Sequence, residues 1–255
     1  MTKSVRNFQL IDNKSIKKDF YVLELSSGQP LPEILPGQFV QVRVDDSKET
    51  FLRRPFSVHD VDYTRNSLKL LIQIAGKGTS SLSEKKPGDL LSLVGPLGNS
   101  FSLPENDDRT LLVGGGCGVA PLLYLAKYLK SHKREFDILM GFRNRDRIIE
   151  HEEYRALSNV YLTTEDGSEG EIGFVTQHSL LRKEKYSRIY CCGPDAMMKA
   201  VGKFANENQI HCEVSLENLM GCGFGVCLCC IVKTVDGNVC SCTEGPVFNI
   251  KRLIW

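Results

Sequence analysis

Residues 110–131, TLLVGGG followed by CGVAPLLYLAKYLKS, constrain the fold of this chain more than any other stretch. An apolar, strand-like run enters three glycines, and beyond them apolar residues recur at helical spacing. Strand, glycine turn and helix in that order make half of a parallel α/β unit. The succession continues downstream. FDILMGF, NVYLTTE and SRIYCCG read as strands with helical patterns between them, and PDAMMKAVGKFANEN closes the series as a helix. Strands alternating with helices predict a parallel sheet with covered faces.

The first hundred residues have another rhythm. From Val5 to Val94 the runs DFYVLEL, GQFVQVRV, PFSVHDV, LKLLIQIAG and DLLSLVGPLG are short, β-rich and separated by Gly, Pro, Asp and Asn. That spacing predicts an antiparallel barrel or sandwich. Beyond CEVSLE the helix–strand alternation stops, and Cys, Gly and short β segments finish the chain. The expected organisation is a β-barrel over 1–100, an α/β parallel-sheet domain over 101–214 and a small Cys-rich module over 215–255. A chain of 255 residues, 42% hydrophobic and 25% charged, is long enough for two cored domains and an appendage.

Lys and Arg number 32 against 31 Asp and Glu, so no basic footprint for nucleic acid or an acidic membrane surface exists. No apolar run approaches the roughly 20 residues of a membrane-spanning helix. Met1 to Phe20 is polar and lacks the apolar stretch of a signal peptide, which predicts a cytoplasmic protein. In that reducing compartment ten cysteines are not expected to be disulfides. Cys117, Cys191, Cys192 and Cys212 sit in apolar or Gly-containing runs, where a thiol behaves as a small hydrophobe. The other six lie between Cys222 and Cys242, a clustering that points to metal ligation or redox chemistry.

Cys222, Cys227 and Cys230 stand at C-x4-C-x2-C, the plant-type [2Fe–2S] spacing, with Cys242 available as a fourth thiolate. Gly221, Gly223 and Gly225 keep side chains off the loop so that backbone N–H groups can turn towards sulfur. Structural zinc also takes four cysteines, but it usually shows two C-x2-C knuckles, and here the second half offers only Cys240-Ser241-Cys242. Iron–sulfur ranks above zinc and both above free thiols. Cys229 and Cys240 are left over, so spacing alone does not settle the register.

Three further motifs suit phosphates and nucleotides. In RRPFS, residues 53–57, Arg54 is placed to grip a pyrophosphate and Phe56 to lie along a ring. In GKGTSSLS, Gly76 and Gly78 allow close backbone approach, and Thr79 is expected to open a short helix. Taken singly, each is as well explained by a surface charge and a hairpin turn. LLVGGGCGVAPLL has the strand-turn-helix form but not the G-x-G-x-x-G fingerprint, because Val119 stands where the third glycine would be. It is a different nucleotide turn or merely a tight one, with Pro121 suited to a first helical turn. The strand ending at Cys192, Gly193 and Pro194 would line a crevice at a sheet's carboxyl edge. The arginines of FRNRDR, residues 142–147, could read a ribose phosphate or simply face solvent. His59 is expected to be a satisfied structural histidine. No nucleophile with a partner base stands out, so no catalytic residue is expected.

RPFS, GKGT, GGGCGVAPL and CGP in this order resemble the ferredoxin-NADP⁺ reductase superfamily, an FAD-binding barrel followed by an NAD(P)-binding α/β domain. The ending ENLMGCGFGVCLCC…VCSCTEGPVF resembles the electron transfer subunits of class 1B dihydroorotate dehydrogenase. The resemblance implies FAD held by Arg54, Pro55, Phe56, Ser57, Leu71, Ile72, Gln73, Gly78 and Thr79. It implies a [2Fe–2S] cluster on Cys222, Cys227, Cys230 and Cys242, with Cys242 chosen over Cys240 by the match of CTEGPVF to the family's ending. NAD would be a diffusible substrate at Gly114, Gly115, Gly116, Cys192, Gly193 and Pro194. The implied partner is an FMN-containing catalytic subunit, in a heterotetramer with two copies of each chain. Two other readings remain. One is a flavin/iron–sulfur reductase subunit of a hydrogenase, sulfide, ferredoxin or bifurcating system; the other is a non-enzymatic zinc-binding interaction module. The apolar ending FNIKRLIW would pack on its own domain or on a partner.

Overall fold

The computed structural model describes residues 3–44, 49–105 and 108–255. Seven strands build the first sheet: β1 (Ser4–Lys17), β2 (Phe20–Ser27), β3 (Phe39–Val42), β4 (Arg54–Ser57), β5 (Asp60–Asp62), β6 (Ser67–Gln73) and β7 (Leu90–Leu97). They run antiparallel in the order β4-β3-β7-β1-β2-β6-β5, and the sheet curls until β4 comes back against β6. Leu23, Leu25, Val42, Leu70 and Leu93 fill the interior, all at most 1% exposed. After β6 the helix α1 (Lys77–Ser83) begins two residues before Thr79. The Thr79 hydroxyl turns back instead and accepts the Ala75 and Gly76 N–H groups at 2.8 and 3.2 Å, which fixes the turn into the helix.

The second sheet follows. β8 (Thr110–Gly115) leads through a 3-10 turn to α2 (Ala120–Ser131), then come β9 (Phe136–Phe142), α3 (His151–Arg155), β10 (Val160–Thr164) and β11 (Glu171–Ile172). α4 (Leu180–Lys183), β12 (Arg188–Cys192), α5 (Asp195–Glu207) and β13 (His211–Ser215) complete it. α3 and α4 have only five and four residues, because RNRDR and EDGSEGEIG offer turn residues and charge where a helix would need an apolar face. Strand order is β11-β10-β9-β8-β12-β13, parallel throughout, with the direction of progression reversing between β8 and β12.

The Cys-rich ending is sewn to both units. It forms a hairpin of β14 (Ile231–Thr234) and β15 (Gly237–Cys240), and then β16 (Val247–Asn249) adds antiparallel to β13, with Val214 opposite Phe248. Asn99, at the end of the first unit, donates its N–H to Gly245 O (2.6 Å) and its amide to the carbonyls of Glu244 and Val247 (2.8 and 2.9 Å). FNIKRLIW packs on its own chain: Phe248 and Ile250 are buried, and the Trp255 ring lies over Gly202 of α5.

Candidate redox-cofactor site

The two flavin-type motifs meet. The Arg54 guanidinium lies directly above Gly78, where an added Cβ would sit 3.0 Å from Nε, and Nη1 donates to the Leu52 carbonyl at 2.6 Å. Its neighbour Arg53 is committed elsewhere, to Ser92 O and Oγ at 2.6 and 2.9 Å. Pro55, Phe56 and Ser57 lie opposite Gln41, Val40 and Phe39 of β3, and all are half-buried. Leu71 and Ile72 are 2% and 1% exposed and point into opposite cores, which leaves their backbone for any ligand. Gln73 lines the neighbouring cleft.

The cysteines pair two and two. Phe224 and Cys227 donate their N–H groups to Cys222 Sγ at 3.3 and 3.4 Å, and Cys222 N–H donates to Cys227 Sγ at 3.4 Å. Gly225 N–H donates to Cys242 Sγ at 3.2 Å. These donors stabilise a thiolate, and the Phe224 and Cys227 amides lower the Cys222 pKa to about 6. At Cys230 burial acts against the thiolate, but the Cys242 backbone and the Cys242 and Ser241 side chains outweigh it. Burial pushes Cys242 up to about 12, with its partner Cys230 adding to the effect. Among the described residues no three His, Cys, Asp or Glu side chains converge to hold one metal ion; a two-iron cluster asks instead for two pairs. Cys240 hydrogen-bonds weakly to Gly225 O at 3.9 Å and also contacts the Cys230 side chain, whereas Cys229 is exposed and outside these contacts.

Gly223 is in the left-handed region, φ +75°, and a Cβ there would meet Gln41 Oε1 at 2.9 Å. The Gln41 amide also reaches Gly221 O at 3.4 Å. Gln41 therefore faces the cysteine loop through its side chain and Pro55 of the flavin-type strand through its backbone pairing. The sequence pattern did not single it out.

A cleft of about 640 Å³ opens at the carboxyl ends of β8, β9, β10 and β12, where the strand order reverses, with Phe20 and Gln73 of the barrel forming its other wall. Ligands of open α/β sheets bind at such a reversal. Gly115, Gly116 and Pro194 line it. Gly114, Cys192 and Gly193 stand behind, Gly114 against Val119 and Gly193 against Met197. Thr163, 1% exposed, lines the cleft with a hydroxyl that has no partner in the protein, which fits a bound polar ligand. Of the FRNRDR arginines, Arg145 pairs with Glu169 (3.1 Å) and Arg147 with Asp19 (2.8 Å), and Arg143, Arg147 and Glu165 sit on the cleft wall. Glu217, also missed in the sequence, faces Cys117 and Cys192; its carboxyl keeps solvent contact, yet crowding by protein raises its pKa.

Family descriptions match in the same order: an oxidoreductase FAD-binding domain over 7–101, an oxidoreductase NAD-binding domain over 112–203, and the iron–sulfur cluster binding domain of dihydroorotate dehydrogenase B over 217–254. The dihydroorotate dehydrogenase B (NAD(+)) electron transfer subunit of Caldanaerobacter subterraneus subsp. tengcongensis is 38% identical, covering 97% of both chains. That of Clostridium acetobutylicum is 39% identical over 96% of both. The chain belongs to this family. Among solved structures, the NADH-dependent reduced ferredoxin-NADP oxidoreductase contains a chain that superposes with TM-score 0.89 at 32% identity, over 97% of this chain and 90% of its own. The ferredoxin reductase of carbazole 1,9a-dioxygenase, at 21% identity and TM-score 0.70 over 82% of this chain and 67% of its own, shares the fold. The FAD-binding, NAD-binding and iron–sulfur cluster binding domains therefore stand together in this one chain. No helix among the described residues is long and apolar enough to cross a membrane.

Proposed function

We propose that this chain carries electrons from an FMN-containing subunit that oxidises dihydroorotate, through a [2Fe–2S] cluster and FAD, to NAD⁺, a step of de novo pyrimidine (UMP) biosynthesis. The observation that carries the reading is the position of Gln41, whose strand touches the flavin-type motif on one side and the cysteine loop on the other. The FAD supplies the conversion between single electrons and a hydride, and the protein supplies placement. Arg54 and the backbone of Gly78 and Thr79 hold the flavin's pyrophosphate, with Pro55, Phe56, Ser57 and the Leu71–Gln73 backbone beside it. Cys222 with Cys227, and Cys230 with Cys242, hold the two irons; the amides already aimed at Cys222, Cys227 and Cys242 support that choice over Cys229 and Cys240. Gly115, Gly116 and Pro194 receive NAD, with Gly114, Cys192 and Gly193 shaping the wall behind them. The division at 100/101 and 214/215 assigns one of these tasks to each unit.

The partner docks over the cysteine loop, where Leu219, Val226 and Leu228 are 81%, 79% and 57% exposed beside Phe224. A heterotetramer of two copies of each subunit, in the reducing cytoplasm that suits ten free cysteines, completes the reading. Co-purification tests it: the native complex is expected to oxidise dihydroorotate with NAD⁺ and to hold FMN, FAD and about two irons per FAD. A colourless chain with bound zinc would end the reading. The close match to a chain of the ferredoxin-NADP oxidoreductase favours one alternative, a subunit serving another flavoprotein. Recovery of a native partner lacking FMN and dihydroorotate oxidation would establish it.

A further inference from the structure

Ser241 lies between Cys240 and Cys242 and is 0% exposed. Its N–H donates to Cys230 O at 2.9 Å, so its backbone is tied to the buried pair of cysteines. Its hydroxyl makes no hydrogen bond of normal geometry to any protein atom. A buried hydroxyl without a partner costs about 1–3 kcal/mol. Alanine at this position would avoid that cost. Cys230, to which the Ser241 N–H is bonded, and Cys242, the chain neighbour of Ser241, are buried together in one apolar cluster with Phe39, Val94 and Leu97, so sulfur is an acceptor this neighbourhood supplies. The hydroxyl already faces the Cys230 side chain, without a hydrogen bond of normal geometry to it.

We infer that the Ser241 hydroxyl donates a hydrogen bond to sulfur on the Cys230–Cys242 side of the cluster and raises the cluster's reduction potential. The inference rests on the proposed ligand set. One-electron reduction adds negative charge to the sulfurs while no bond forms or breaks, so a donor fixed beside them stabilises the reduced form more than the oxidised one. The backbone amides at Cys222, Cys227 and Cys242 act in the same sense on the rest of the cage, and Ser241 is the side chain that adds to them.

The test is a redox titration of the full chain, loaded with FAD and cluster, followed by electron paramagnetic resonance of the reduced cluster. Ser241→Ala and Ser241→Gly both remove the hydroxyl, and either is expected to keep the wild-type iron and flavin content while the cluster potential moves to more negative values. The FAD potential should not move. Ser241→Thr keeps the donor and should return the cluster potential to the wild-type value. An unshifted potential in the alanine and glycine chains, or a threonine chain shifted as far as they are, overturns the assignment. Normal iron content with an unshifted potential overturns it alone, whereas a wild-type chain that takes up no iron overturns the ligand set and this inference together.

Discussion

The Arg54 guanidinium is held before any ligand arrives by the Leu52 carbonyl, with its flank lying close over Gly78. A pre-positioned fork loses little freedom on gripping a phosphate. Arg54→Ala should therefore weaken FAD retention roughly 10- to 100-fold, about 1.5–3 kcal/mol, read from flavin fluorescence released on dilution. Lysine restores charge without the fork and should recover only part of the loss; full retention by the alanine chain would remove Arg54 from the flavin site. At the cysteines, serine at 222, 227, 230 or 242 should bleach the visible absorbance, and serine at 229 or 240 should not. Bleaching by Cys229→Ser with colour kept in Cys230→Ser would move the register. The Cys-rich segment was legible as an iron–sulfur binding segment because its cysteine spacing is local in sequence. Gln41 was not, since its contact with Gly221 spans 180 residues and leaves no local pattern.

Among elements, the turn from β8 into α2 depends on one close approach. A Cβ on Gly118 would land on the Cys192 carbonyl and Gly193 Cα, both backbone and unable to swing aside. Gly118→Ala should cost about 1–3 kcal/mol of stability and raise the KM for NAD, seen by thermal unfolding and by NADH oxidation with an artificial acceptor. A variant with unchanged KM would show that the turn serves only packing. The two sheets were readable from period-2 runs and from strand–helix alternation. The helical patterns expected between the later strands are reduced at α3 and α4 to five and four residues by polar, turn-rich sequence, and β16 was hidden because Val247–Asn249 is too short to carry a periodicity. Its pairing with β13 makes the Cys-rich segment an extension of the sheet.

On the scale of the whole molecule, the barrel and the parallel-sheet unit must hold flavin and nicotinamide sites at a constant distance, and His59 is one of the side chains that join them, with Tyr124, whose hydroxyl donates to Ile34 O at 2.8 Å. His59 leaves the flavin-type strand and enters the other unit, with Nδ1 2.8 Å from Ala120 O and Nε2 2.7 Å from Glu150 Oε2. A carbonyl only accepts, so Nδ1 is the donor in the contact with Ala120. Burial alone would raise the Glu150 pKa. The His59 hydrogen bond and charge, with Lys14 and Lys69 nearby, reverse that and lower it. A depressed carboxyl pKa contributes stability that is complete above the unfolded value of about 4.3 and is lost as pH falls through the folded value. Glu150→Gln keeps the shape and a hydrogen bond but not the charge. At pH 7 the variant should unfold more easily than wild type by about 1–3 kcal/mol, and the gap should close as pH is lowered through the carboxylate range. Denaturant melts at steps between pH 7 and pH 4 measure it. A gap that stays constant with pH would mean that the strut holds the two units by shape alone.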